Sequence, residues 1–383
     1  MPFSRGRGWR VPVPAFASQG IRFVADSPIS MVPASQPAPE VARGGREGIS
    51  GWLAERIDLV LRLGLLGIIL IAAAIFTLDT IPSKHLSDIG QSIFISQGNL
   101  QDLARQMAVV GVIALGETFV IITAGIDLSV GSLLGLCGVI AAEGFLNGWS
   151  TPVVIFTTLL FALAVGLVNG LLVDMAKIPP FIVTLGMLGI LRGAAYLVTQ
   201  GLNLALSPTG QPTPFTSWIE NTNFAIPNIF IVLAVLGVAS AIFLRFTRRG
   251  RYIYALGSNP ESARRVGINV RATILTVYAL SGLSAGVAGL LLTGRLGTAN
   301  PNAGTSYELD AISAAVLGGA SLFGARGTIL GTFLGVVLVN MLANGIDIDP
   351  HAIDPHMQQV VEGALLIIIV WIDQWRKRRV VAG

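Results

Sequence analysis

Residues 116–132 read Gly116-Glu117-Thr118-Phe119-Val120-Ile121-Ile122-Thr123-Ala124-Gly125-Ile126-Asp127-Leu128-Ser129-Val130-Gly131-Ser132. An apolar run ends near Ala124, the chain bends at Gly125, and a second apolar run starts at once. Asp127 suits the start of that second run: a carboxylate there accepts free backbone N–H groups and meets the positive end of the helix dipole. The two runs, 104–124 and 127–146, are each close to the roughly 20 apolar residues that cross a bilayer as a helix.

The same pattern recurs in both directions. Further apolar segments lie at approximately 57–78, 151–172, 180–199, 228–246, 272–293, 308–323, 327–345 and 358–374. Composition agrees: 12% of the 383 residues are charged, against about 25% in soluble domains, and mean hydropathy is +0.72. The expected fold is all-α, a polytopic transmembrane helix bundle of about ten spans. The eighth segment is short and rich in Gly and Ala, so it is expected to be broken or re-entrant. Five spans per half would make an inverted repeat, an architectural expectation from the count alone. The single Cys137 excludes an internal disulfide and a Cys-rich metal site.

Loop charges give the sidedness, because Lys and Arg prefer the cytoplasmic side. Arg43, Arg46, Arg56 and Arg62 flank the first segment, and Arg376-Lys377-Arg378-Arg379 follows the last, so both termini are expected in the cytoplasm. The loop between segments six and seven carries Arg245, Arg248, Arg249, Arg251, Arg264, Arg265 and Arg271 and is expected inside. The loop at 200–227 has the one charge Glu220, and that at 346–357 carries Asp347, Asp349 and Asp354; both are expected outside. The net charge of +4 thus reports sidedness and not a nucleic-acid partner. Residues 1–50 are rich in Arg, Pro, Ser and Gly without a long apolar core, and read as a disordered cytoplasmic tail before a membrane domain at 51–379.

Five G-x-x-x-G pairs, Gly131/Gly135, Gly166/Gly170, Gly189/Gly193, Gly282/Gly286 and Gly331/Gly335, predict close helix packing. They do not distinguish a channel from a carrier or an enzyme. No G-x-x-x-x-G-K-[ST] phosphate loop is present, nor H-E-x-x-H. ATP, if used, is bound by another chain. The external stretch Asp347–His356 repeats D-P-H. It reads as an acidic, Pro-rich loop and not as a metal site.

In the basic loop, Ser258 or Asn259 can N-cap a short helix over about 258–268, with Pro260 and Glu261 in its first turn and Gly267 at its stop. It reads as a solvated connector or as a rigid knob for a cytoplasmic partner.

The run from Ala114 to Ser132 resembles the signature of the monosaccharide, ribose-permease-like branch of bacterial ABC importer permeases. The likeness continues at Ile178–Gly186, Arg192-Gly193, Ala255-Leu256-Gly257 with Asn259, Gly318–Thr328 and Gln358–Val361. It covers about residues 55 to 375. It implies a transport subunit with no catalytic residue and no cofactor of its own, in the bacterial inner membrane. It also implies a cytoplasmic ATP-binding subunit, a periplasmic sugar-binding protein, and a second permease copy or a paralogue. Glu261-Ser262-Ala263 with Gly267 is similar to the family's coupling motif, Ser262 standing for the usual Ala. The resemblance therefore assigns Asn259, Glu261, Ser262, Ala263, Arg264 and Gly267 to ATPase coupling. Candidates for the signature and the solute path are Glu117, Thr118, Thr123, Gly125, Asp127, Ser129, Gly131, Ser132, Asn169 and Thr184. Glu117 departs from the family, which usually has an uncharged residue there. It reads as touching sugar hydroxyls or pairing with Arg192 if those helices meet, or else as a structural pair or a residue nearer the interface. Glu362, near the outer end of the last segment, is expected to be solvated. The competing readings are an ion-driven secondary transporter, which needs paired acids at mid-membrane, and a membrane-embedded enzyme, which needs clustered His, Asp or Glu.

Overall fold

The computed structural model describes residues 46–81, 90, 92–207, 209, 211–348 and, beyond these, 360, 363, 364, 367 and 371. The tail before residue 46, the D-P-H repeat from Asp349 onward, Glu362 and nearly all of the last expected span lie outside the described residues. In chain order come α1 (Arg46–Asp79), α2 (Gln97–Ile122), α3 (Val130–Leu146), α4 (Thr151–Met175), α5 (Pro180–Thr199), β1 (Leu204–Ala205) and α6 (Pro214–Glu220). Then follow β2 (Thr222–Asn223), β3 (Ile226–Pro227), α7 (Asn228–Phe246), α8 (Arg248–Ser258), α9 (Pro260–Arg265), α10 (Val270–Leu296), β4 (Thr298–Ala299), α11 (Tyr307–Leu317) and α12 (Ile329–Asp347). The expected all-α bundle is observed.

Six of these helices, α2, α4, α5, α7, α10 and α12, are long and apolar enough to cross a membrane, and α3 and the Leu63–Asp79 part of α1 are shorter apolar helices. The eighth expected segment is helical only over the 11 residues of α11, about 16 Å at 1.5 Å per residue. Turns over 300–306 precede it and turns over 318–328 follow it. This is the broken element that its short Gly/Ala-rich run implied. The loop at 200–227 is more structured than expected. It holds α6, the hairpin β2–β3, and β1, which pairs antiparallel with β4 through Leu204↔Ala299.

Helix ends follow local chemistry. Ser96 caps α2 through Asn99 N (3.3 Å), Asn269 caps α10 through Ala272 N (2.9 Å), and Thr328 caps α12 through Gly331 N (3.1 Å). Each side-chain oxygen satisfies a backbone donor that has no partner within its helix. α2 is the axis: 89% of its most apolar stretch is buried, against 17% for α7 and 22% for α5. α10 packs against α2, α3 and α4, and α12 packs against α2 and α11. Leu65 and Ile69 of α1 close on Leu338 and Met341 of α12.

Small residues bring backbones together where the G-x-x-x-G pairs predicted. Gly166 lies on the backbone of Tyr278 and Ala279, and Gly282 on Ala162 and Gly166. Gly331 meets Gly318, and Gly335 meets Ala314. Gly131 meets Gly304, and Gly135 meets the Ala303 carbonyl. The pair Gly189/Gly193 is the exception: a Cβ added at either would meet nothing within 4 Å. That edge of α5 faces away from the rest of the described chain, so the expected contact is not made within it.

Candidate functional site

Two regions bring the sequence-derived residues together. The first is the α8–α9 unit. Asn259 has an extended backbone (φ −160°), and its Oδ1 accepts from Ser262 N at 3.0 Å. Of the two expected caps, Asn259 is therefore the one used. Pro260 takes the first helical position, where its missing N–H costs nothing. Gly267, at φ +83°, ends the turn in the left-handed region that favours glycine. The helix is shorter than expected, Pro260–Arg265. Ala263 is buried, while Glu261, Ser262, Arg264 and Gly267 are exposed. Glu261 and Arg265 approach at 3.9 Å with both side chains about four-fifths exposed (82% and 80%), so this pair contributes little to stability. Val266, 76% exposed, is an apolar tip that sequence reasoning passed over.

This tip stands on a firm base. Thr247 Oγ1 accepts from Gly250 N at 3.0 Å and caps α8. Tyr254 Oη donates to the Gly327 carbonyl at 2.7 Å, and burial raises the Tyr254 phenol above its ordinary value. Ala325 N donates to the Ile122 carbonyl at 2.9 Å. A Cβ on Gly257 would meet that same carbonyl and Ala325 N. The end of α2, the C-terminal part of α8 and the 318–328 turns thus form one contact.

The second region is the bend after α2. Ala124 has φ +61°, and the chain turns there into Gly125, beside the Tyr278 hydroxyl. Asp127 Oδ1 accepts from Ser129 N (3.0 Å) and Ser129 Oγ (2.6 Å). Its Oδ2 accepts from Ser281 Oγ of α10 at 2.8 Å. Asn169 Nδ2 of α4 donates to Ser129 Oγ at 2.9 Å. Glu117 Oε1 accepts from Asp127 N at 3.1 Å. Thr184 Oγ1 of α5 donates to the Ile126 carbonyl at 3.0 Å. Five elements therefore meet at one short bend.

Two expectations are corrected here. Asp127 is not the cap residue of α3; Ser129 holds that position without a side-chain cap bond. Asp127 lies two residues earlier and ties the bend to α10 instead. Glu117 does not pair with Arg192. The Arg192 guanidinium donates to the Pro301 and Ala303 carbonyls at 2.6 and 2.8 Å.

The sequence profile described as "Branched-chain amino acid transport system / permease component" matches residues 99–370. The chain belongs to this permease family. It is 34% identical over 334 residues to the ribose import permease RbsC of Escherichia coli K12, covering 87% of this chain and 98% of that one. It is 34% identical to the xylose transport system permease XylH of the same strain, covering 75% and 87%. RbsC of Bacillus subtilis strain 168 is 38% identical, covering 73% and 86%. A solved metal-chelate type ABC transporter in an inward-facing conformation matches the fold with a TM-score of 0.50 at 15% identity, covering 82% of this chain and 99% of that one. The permease is a multi-pass membrane protein and a transport component, not an enzyme.

Most of the permease's path candidates lie inside the chain. Glu117, Thr118, Asp127, Ser129, Ser132, Asn169 and Thr184 are buried side chains, each 1% exposed or less, and the backbone of Gly125 and Gly131 is buried with them. Thr118 is held by Thr332 at 2.7 Å, and Thr123, partly exposed, bonds the Val120 carbonyl at 2.8 Å. In this conformation the bend is a polar core that fixes helix positions. Ser281 and Tyr278 belong to it and were missed. They sit in an apolar run with nothing local to mark them.

Proposed function

We propose that this permease is the membrane subunit of an ABC importer that carries a monosaccharide, a ribose-like pentose or another simple sugar, across the inner membrane. An ATP-binding subunit and a substrate-binding protein complete such an importer. Relatives named for ribose and xylose import support the sugar. The observation that carries the coupling is the α8–α9 unit: an exposed tip with Glu261, Ser262, Arg264 and Val266, on a base packed against the end of α2.

In this reading α9 docks on the cytoplasmic ATP-binding subunit, with the amino terminus on the same side. Closure of the ATPase on ATP moves α8. Gly257 passes that movement to Ile122, and so to the bend that ties α2, α3, α4, α5 and α10. A rigid contact is needed because packed backbones move as units and do not absorb displacement. A second copy or a paralogue faces this chain across the solute path. No bond of the solute is broken.

The test is uptake by proteoliposomes holding the chain with its ATP-binding and sugar-binding partners. Sugar uptake should require ATP and both partners. Uptake by this chain alone, indifferent to ATP, would sink the proposal.

A further inference from the structure

The segment between β4 and α11 is non-helical, yet it lies between spans. Arg192, within α5, bonds the Pro301 and Ala303 carbonyls. Gly135 and Gly131 of α3 lie against the Ala303 and Gly304 carbonyls. Residues 301–304 therefore run alongside the first half of α3, at membrane depth.

Irregular backbone at that depth does not face lipid; it is covered by protein or lines water. Here part of it is uncovered. Asn302 and Thr305 are exposed. Tyr196 of α5, 39% exposed, reaches the same place and donates its hydroxyl to Asn302 Oδ1 at 2.6 Å. A side chain on Gly193, one turn back on α5, would meet nothing within 4 Å, so the face of α5 beside Tyr196 is open.

The chemistry of this face is specific. Thr305 Oγ1 gives its proton to the Asn302 carbonyl at 2.7 Å, which leaves its lone pairs to accept. The Tyr196 oxygen also keeps an acceptor side, and the Asn302 amide nitrogen offers donors. The Arg192 charge is turned onto backbone carbonyls. A neutral polyhydroxyl solute fits such a set: hydroxyls bond the amide and hydroxyl groups, and the ring's C–H face rests on the tyrosine. Substrate sites of membrane carriers also recur beside interrupted helices.

We infer that Tyr196, Asn302 and Thr305 line the solute path and hydrogen-bond the sugar during translocation. This rests on the proposal that the permease carries a sugar.

Cysteine accessibility in the reconstituted importer tests it. The native Cys137 is buried, so the parent should stay unlabelled. Asn302→Cys and Thr305→Cys should react with a membrane-impermeant, water-soluble methanethiosulfonate. Labelling should slow ribose or xylose uptake, and saturating sugar should slow labelling. Tyr196→Phe, which keeps the ring, should lower the uptake rate by about five- to tenfold, the scale of a lost hydrogen bond, without changing ATPase docking. Reaction only with a membrane-soluble maleimide would place the face in lipid. A disulfide between two copies at Asn302→Cys would make it a subunit contact. Labelling that leaves uptake unchanged, or a Tyr196→Phe variant with full uptake, would remove it from the path. Each of these overturns the inference while uptake by the parent still upholds the sugar reading. Absence of uptake in the parent instead overturns the function on which it rests.

Discussion

Gly257 of α8 lies directly on the backbone carbonyl of Ile122, the last residue of α2. That carbonyl also accepts from Ala325 N at 2.9 Å, so three segments share one oxygen. A side chain at 257 has no space, and its neighbours are backbone atoms that cannot rotate aside.

The first prediction concerns this contact. Gly257→Val should separate α8 from α2 at a cost of about 1–3 kcal/mol, the usual scale of overpacking. Uptake should fall to background while the protein still inserts in the membrane. Gly237 of α7, with nothing within 4 Å, is the control: Gly237→Val should leave uptake near the parent rate. Comparable losses in the two variants would mean that the Gly257 contact has no special part in coupling.

Gly267 separates backbone strain from docking. At φ +83° with open space around it, Gly267→Ala meets no atom and carries only the left-handed penalty of about 1–2 kcal/mol. Gly267→Trp carries a similar penalty and also projects a large ring from the exposed tip. The Ala variant should still bind the ATP-binding subunit in co-purification, and the Trp variant should not. Normal ATP-driven uptake with Trp at 267 would make the unit a mere connector.

Tyr254→Phe removes one bond, to the Gly327 carbonyl at 2.7 Å, and leaves the ring in place. The loss should be about 1 kcal/mol, read as a lowered unfolding temperature in detergent. Because the bond joins α8 to the turns before α12, uptake per ATP hydrolysed should also fall. An unchanged ratio would mean that the Gly257–Ile122 contact alone carries the movement.

The sequence exposed a good deal of this arrangement, for physical reasons. Helix stops are local, so Asn259, Pro260 and Gly267 could be placed on a short helix from residue type alone. The break of the eighth segment was visible because a run of Gly and Ala is too short to span. Contacts between distant segments were not visible. Nothing near Ser281 says that it meets Asp127, and nothing near Gly257 says that it meets Ile122. Gly189 and Gly193 have the spacing of a packed pair, but spacing cannot say which face of α5 turns outward. Polarity within spans picked out Thr118, Ser129 and Asn169, which are buried and hydrogen-bonded across the bundle. It could not reach Asn302 and Thr305, which are exposed and lie between the expected spans.

The buried bend gives the last prediction. Ser281→Ala removes the donor to Asp127 Oδ2 (2.8 Å) and strands a buried acceptor, at a cost of about 1–3 kcal/mol. Thr118→Val removes the 2.7 Å bond to Thr332 and the 2.6 Å bond to the Ala114 carbonyl. No carboxylate is stranded there, and side-chain bonds between membrane helices average only about 0.6 kcal/mol. Ser281→Ala should therefore lower the unfolding temperature in detergent more than Thr118→Val does, although it breaks fewer bonds. The reverse order would mean that Asp127 is satisfied by Ser129 alone, and that the tie from the bend to α10 is not what holds these helices together.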